Sequence, residues 1–174
     1  LYRREGERLF EFERARAAAC AATTLVTPAE VDLLAQRAPE IAPRLHAMGN
    51  GVDTQFFAPD ATRVSPFGAD EVPLVFTGAM DYWPNVDAVT WFVHEVLPRV
   101  RAQVSQVKFY IVGMNPTDDV RALEKSEGVV VTGRVDDVRP YVQYARAVVA
   151  PLRIARGVQN KVLEAMALAR PVVV

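Results

Sequence analysis

AVVAPLRIARGVQNKVLEAMALARPVVV, residues 147–174, parses as strand, glycine-bearing loop, helix and strand. Ala147 to Ala150 is a short apolar run stopped by Pro151. Residues 158–168 hold good helix formers and no internal Gly or Pro. Pro171 ends that helix and opens a second apolar run, Val172-Val173-Val174. In a βαβ unit of this kind a ligand binds at the carboxyl end of the strand, where the loop feeds the helix. Free amide hydrogens and the positive end of the helix dipole attract an anion there, usually a phosphate. The loop carries Arg153, Arg156 and Gly157, and Lys161 and Glu164 share one face of the first turns. One reading of that pair is a cation for phosphate and a carboxylate for a sugar hydroxyl. The other is a solvated ion pair on the outside of a helix. The order argues against the second, because the stabilising helical pair places the acid before the base.

The 174 residues are 51% hydrophobic and 24% charged with a formal net charge of -1. That balance suits one good core of roughly 100–200 residues and makes no general case for nucleic acid or an anionic membrane. The single cysteine, Cys20, excludes an intrachain disulfide framework and, within an alanine-rich helix, reads as a packing residue. His46 and His94 are isolated, away from any metal-ligand spacing. No apolar run approaches the length of a membrane span. The chain opens at Leu1 inside a helical pattern and closes at Val174 inside an apolar run, so a piece of a longer protein is expected.

Tyr2 to Ala22 is charged and helical, and Thr23 to Val26 is a short strand. Thr27, Pro28 and Glu30 then form a helix start: N-cap, proline in the first turn and capping-box acid. That helix runs to about Arg37, and a second extended piece, Arg44 to Met48, leads into the turn residues Gly49-Asn50-Gly51. Phe56 to Val72 is polar, without periodicity, and reads as a linker. Regular alternation follows. Strands are expected at Pro73–Thr77, Val107–Val112, Val129–Thr132 and Ala147–Ala150. A helix from Pro84 to about Ala102 should be kinked or divided by Pro98. Further helices lie at Thr117–Lys125, capped by Thr117 or Asp118, and from Asp136 or Asp137 to Tyr144.

Continuous apolar strands alternating with helices mean a parallel sheet covered on both faces. With right-handed crossovers, this is an α/β, Rossmann-like doubly wound domain. Gly78, Gly113 and Gly133 each end a strand; close backbone approach to a ligand is one reading, but for any single one of them a tight turn is the better account. Neither a G-x-G-x-x-G nor a Walker A lysine loop is present.

The order of parts resembles the GT-B, group-1 (retaining) glycosyltransferases, over nearly the whole chain. The resemblance rests on Leu25-Val26-Thr27, Asn50-Gly51-Val52-Asp53, Phe76-Thr77-Gly78-Ala79-Met80-Asp81-Tyr82-Trp83-Pro84-Asn85-Val86-Asp87-Ala88, Ile111-Val112-Gly113 and Val131-Thr132-Gly133-Arg134-Val135. It closes with Gly157 to Pro171, where Lys161-Val162-Leu163-Glu164-Ala165-Met166-Ala167 is the most specific run. The Met-Asp-Tyr-x-Pro-Asn-Val-Asp segment is most similar to sugar transferases of exopolysaccharide clusters, including the PEP-CTERM/exosortase-associated group. The resemblance implies two domains with the active site between them. Residues 1–55 would be the end of the N-terminal, acceptor-side domain with its linker, and 56–174 a nucleotide-sugar donor-binding domain truncated at its C-terminus.

The family's signature is a pair of glutamates in the register of positions 156 and 164. Glu164 matches the second, which can hold the ribose hydroxyls. The first falls on Arg156, a five-donor group suited to phosphate instead. The Arg and Lys common after the first strand's loop are replaced by Met80, Asp81, Tyr82 and Asn85. The implied catalytic cations are therefore Arg156 and Lys161, which would stabilise a departing nucleoside diphosphate as the anomeric C–O bond breaks. The implied donor-binding set is Gly78, Met80, Asn85, Gly113, Arg134, Val135, Gly157, Val158 and Glu164.

The expected donor is a UDP- or GDP-sugar, with no cofactor and no metal, since no Asp-x-Asp motif occurs. The expected acceptor is a glycan or lipid-linked molecule reached through the other domain, in the cytoplasm or at the inner membrane face, where the full-length protein would associate peripherally. The fragment alone is expected to transfer nothing. Two alternatives are a non-hydrolysing sugar-nucleotide epimerase and a non-catalytic nucleotide-binding module.

Overall fold

The computed structural model describes residues 2–155 and 157–174, with Tyr2 described in its backbone alone. The chain forms two compact units, Leu1–Gly51 and Val52–Val174. In the first, helix α1 (Tyr2–Ala19) precedes strand β1 (Thr23–Leu25), helix α2 (Pro28–Arg37), a 3-10 turn (Pro39–Arg44) and strand β2 (Leu45–Ala47). Strands β1 and β2 pair in parallel. The α2 start is a full capping box: Thr27 Oγ1 accepts from Glu30 N, and the Glu30 carboxylate accepts from Thr27 N at 3.0 Å. Ala17, Ala38, Ile41 and Leu45 make the small core of this unit. Cys20 is exposed, correcting the packing reading. The alanine-rich helix ends at Ala19, so Cys20 lies just past it and misses that core.

The second unit begins at Val52, and Asp53 is tied into it. The Asp53 carboxylate accepts from Gln55 N and Phe56 N, and Arg139 lies 4.0 Å over the Phe56 ring. The expected linker is thus packed rather than loose. Phe57 and Phe67 join the core, and buried Gln143 binds Asp60 through both ends of its amide. An irregular backbone can be held this way once a side chain satisfies its polar groups. No periodic signal marks it.

Five parallel strands follow: β3 (Val72–Thr77), β4 (Val107–Val112), β5 (Val129–Gly133), β6 (Ala147–Val149) and β7 (Val172–Val173), in the order β5-β4-β3-β6-β7. Successive side chains point to opposite faces, so Phe76, Phe109 and Ile111 pack under α3 (Trp83–Trp91), α4 (Leu97–Arg101) and α5 (Asp118–Ala122). Val75, Tyr110, Val112 and Val148 pack under α6 (Arg139–Tyr144) and α7 (Asn160–Ala167). The sheet is doubly wound, as the alternation requires. Among the described residues no helix is long and apolar enough to cross a membrane.

Two helical expectations gain detail. The long helix is divided by a π segment, Phe92–Val96, just ahead of Pro98. A proline clashes with the carbonyl four residues back and offers no N–H, and a widened turn before it relieves both. Helix α6 starts at Arg139, with Asp137 accepting from Arg139 N at 2.9 Å and pairing with its guanidinium.

The strand-ending glycines serve different ends. Gly78 N donates to Val112 O and Gly113 N to Gly133 O, so the ladder continues past the strands. A Cβ on Gly113 would fall 1.7 Å from the carbonyl oxygen of Gly78, so here backbone approaches backbone. Gly133 has open space but φ +68°, a turn requirement. Gly113→Ala is therefore expected to cost about 3 kcal/mol in urea unfolding. Gly133→Ala should cost about 1 kcal/mol, from the left-handed backbone alone. Equal midpoints for the two would show that the β3 and β4 ends separate freely.

Candidate functional site

The order of strands is what makes a site. From central β3 the chain moves outward through β4 to β5, then returns to β6 on the other side and ends at β7. Helices α3 and α7, which follow the adjacent strands β3 and β6, therefore lie on opposite faces and part at the carboxyl edge. That is the switch point where open α/β sheets bind ligands. Helix α3 starts beside it because Pro84 sits in its first turn, where no N–H is needed.

From α7 the Lys161 side chain reaches over this edge. Its Nζ donates to Asn85 Oδ1 on α3 at 3.0 Å and lies 4.0 Å from the centre of the Phe76 ring of β3. Asn85 is buried, and its Nδ2 donates to Ala79 O at 2.9 Å. Gly78 has no side chain to obstruct them: a Cβ there would meet Asn85 Nδ2 at 2.7 Å and Lys161 Nζ at 3.3 Å. Gly78, Asn85 and Lys161, read separately from the sequence, thus form one cluster. Burial pushes the Lys161 ammonium down to about 8, against the favourable pull of Glu164. The Glu164 carboxyl is pushed up by its own burial, with Lys161 opposing. Among the described residues no hydrogen-bond donor reaches the Glu164 carboxylate. A half-buried cation and a partly buried carboxylate on one helix turn offer complementary ends to a phosphorylated polyol.

Other residues of the expected set fall elsewhere. Met80 is fully buried in the core under α3, which leaves its side chain no surface for a ligand. It faces inward because its backbone pairs with Met114 O, holding the loop after β3 against the loop after β4. Gly113 is filled by the Gly78 carbonyl rather than open to a ligand. Arg134 is exposed on the loop leaving β5, while Val135 packs into the core under α6 and α7. Strand β5 lies two strands from β3, roughly 10 Å across the sheet. Gly157 has φ +71° and is exposed, as is Val158. Arg156 lies outside the described residues.

Three contacts have no clear sequence signal. Phe76 reads as core and is also the ring beneath Lys161. Arg153, placed on the loop by the sequence reading, is held by both carboxylate oxygens of Asp87 on α3 and lies 5.8 Å over Trp91. Asn115, at φ +54°, donates to Asp81 across the loops after β4 and β3 at 2.9 Å. Of these, Asp87, at the end of the Pro-Asn-Val-Asp run, and Asp81 stand out in the sequence, but their partners do not.

The depressed Lys161 predicts a pH signature. Below about 8 both folded and unfolded chains hold the proton, and the fold bears the full cost of burying it. Between about 8 and the ordinary value of 10.5 the unfolded chain binds a proton that the folded chain does not, so stability rises with pH there. Lys161→Met should therefore gain most over wild type below pH 8. The difference should shrink by on the order of 2 kcal/mol toward pH 10.5. Urea unfolding at several pH values measures it, and a pH-independent difference would show that Lys161 is not buried as described.

The sequence profile described as "Glycosyl transferases group 1" matches residues 71–174, more than half of the chain. Among curated proteins none matches the sequence. Among solved structures, HepE from Anabaena, in complex with UDP and glucose, is 16% identical with a TM-score of 0.63, covering 88% of this chain and 44% of that one. A point mutant of TarM from S. aureus, in complex with fondaparinux, alpha-GlcNAc-glycerol and UDP, is 17% identical with a TM-score of 0.68, covering 93% of this chain and 31% of that one. Pneumococcal O-GlcNAc transferase GtfA, in complex with UDP and GlcNAc, is 12% identical with a TM-score of 0.65, covering 94% and 31%. The chain thus spans less than half the length of these structures, and at such identities the likeness is one of fold. The match over residues 71–174 places this chain in the group 1 glycosyl transferases, with the GT-B α/β architecture that the switch-point cluster is built on.

Proposed function

We propose that residues 52–174 bind the nucleoside diphosphate of a sugar donor at the β3/β6 switch point, within a protein that transfers the sugar to a glycan or lipid-linked acceptor. The observation that carries this reading is the Lys161 ammonium, held beside Gly78 by Asn85 where α3 and α7 part. The solved relatives bound to UDP support a uridine nucleotide as one candidate, and GDP is the other. Glu164, on the same face of α7, would accept from the ribose hydroxyls. Burial raises its pKa, and hydroxyl donors from a ligand would favour its charged form. Arg156 would add a second cation, on the strength of its place in the sequence.

Chemically the site suits a leaving group. When the anomeric C–O bond breaks, charge collects on the diphosphate oxygens, and a fixed, poorly solvated ammonium stabilises that charge more than it stabilises the bound donor. No metal is invoked. The family resemblance adds three finer proposals: retention at the anomeric carbon, acceptor binding by a partner domain of which residues 1–51 would be a part, and a role in exopolysaccharide synthesis at the inner membrane face.

Calorimetric titration of this chain with UDP, GDP and inorganic pyrophosphate tests the site. Lys161→Ala should weaken all three by about tenfold or more, the worth of one charge-assisted hydrogen bond. Glu164→Ala should weaken UDP and GDP but leave pyrophosphate unchanged. Wild-type affinity in both variants would overturn the assignment. In the full-length protein, supplying UDP- and GDP-sugars and following the sugar separates transfer from epimerisation and from binding alone.

A further inference from the structure

We propose that Asn85 is a positioning residue that never touches the donor: it holds the Lys161 ammonium at the switch point through a neutral acceptor, leaving the full positive charge for the diphosphate. The proposal rests on the donor-site reading above and goes beyond it, since that reading needs only the cation.

The geometry points this way for three reasons. First, each end of the Asn85 amide already has a protein partner and the residue is only 6% exposed, which leaves little of it for a ligand. Its orientation is fixed by those partners. Turned over, it would face its NH2 to an ammonium and its oxygen to the Ala79 carbonyl. Second, Lys161 has three N–H donors. One goes to Asn85, the Phe76 ring covers another side, and the remainder can face outward over Gly78. Third, the groups around the ammonium are nearly all neutral. Helix α3 presents Asn85, β3 presents Phe76, and among the described residues the charge acting on it is Glu164 of its own helix. A carboxylate at position 85 would hold the lysine as firmly but would cancel its charge and repel a diphosphate. An amide holds it without doing either.

A double-mutant cycle on the full chain, with UDP as ligand and melting followed in parallel, tests this. Asn85→Ala should weaken UDP by about tenfold in the wild-type background and by less than about twofold in Lys161→Ala, because its effect travels through the lysine. Asn85→Asp should also weaken UDP. In wild type, binding should fall as pH rises above about 8, where Lys161 loses its proton. In Asn85→Asp that fall should move to higher pH, because a carboxylate favours the ammonium. A purely structural role would leave the pH profile in place. Should Asn85→Ala prove too unstable to measure, the Asn85→Asp profile alone decides. Equal losses from Asn85→Ala in both backgrounds, or an unmoved profile in Asn85→Asp, would overturn the proposal while the donor site stands. Unchanged affinity in Lys161→Ala would overturn the donor site and this proposal together.

Discussion

One lysine taken partly out of water constrains the carboxyl edge of this sheet. An ammonium loses much of its hydration on burial, and only a set of oriented acceptors and a ring face can compensate. The structure meets that demand with residues from three elements: Asn85 on α3, Phe76 on β3 and Glu164 on α7 itself. Once they are placed, position 78 has no room for a side chain. The requirement passes along the sheet, because the Gly78 carbonyl fills the space a side chain would take at position 113. Two of the strand-ending glycines thus serve one buried charge.

Such a cation costs stability, and that is what makes it useful. A surface lysine meets a phosphate by giving up its water at the moment of binding. Here that loss has been borne during folding, so under the proposed reading less desolvation would remain on binding. The neighbouring ties share this logic. Asp87 grips Arg153 and so joins α3 to the loop after β6, while Asn115 and Asp81 join the loops after β4 and β3. Loops that carry binding groups are mobile by default; these are cross-linked by side chains. The family pattern commonly places a cation on the loop after the first strand. In this chain α7 delivers a cation to the switch point from the opposite face of the sheet.

Packing elsewhere shows how far a local signal can mislead. Residues 56–71 lack periodicity, yet they lie against α6 because Phe57, Phe67 and a buried glutamine hold them. Pro98 marks the irregularity in the long helix, but the distortion falls before it, where the chain can widen a turn without losing the Phe92–Phe109 contact in the core. Met80 stands in a loop whose motif points to the donor and turns inward, since an apolar side chain next to a buried sheet edge gains more from the core than from solvent.

Residue order alone determined the elements and their class. Apolar runs of strand length, capped helices between them and prolines at their starts leave a doubly wound parallel sheet as the arrangement that covers both faces. The same reading picked out Lys161, Glu164, Gly78 and Asn85 as residues with chemistry to perform, from spacing and from a shared motif. What each does was decided only by the fold. Asn85 and Lys161 are far apart in the chain and become partners because the strand order sets β3 beside β6. The pKa of the lysine, the bareness of Gly78 and the occupied space at Gly113 all follow from that adjacency. Local spacing carries no information about which distant side chain will share a desolvated volume, and desolvation is what turns an ordinary lysine into a prepared site.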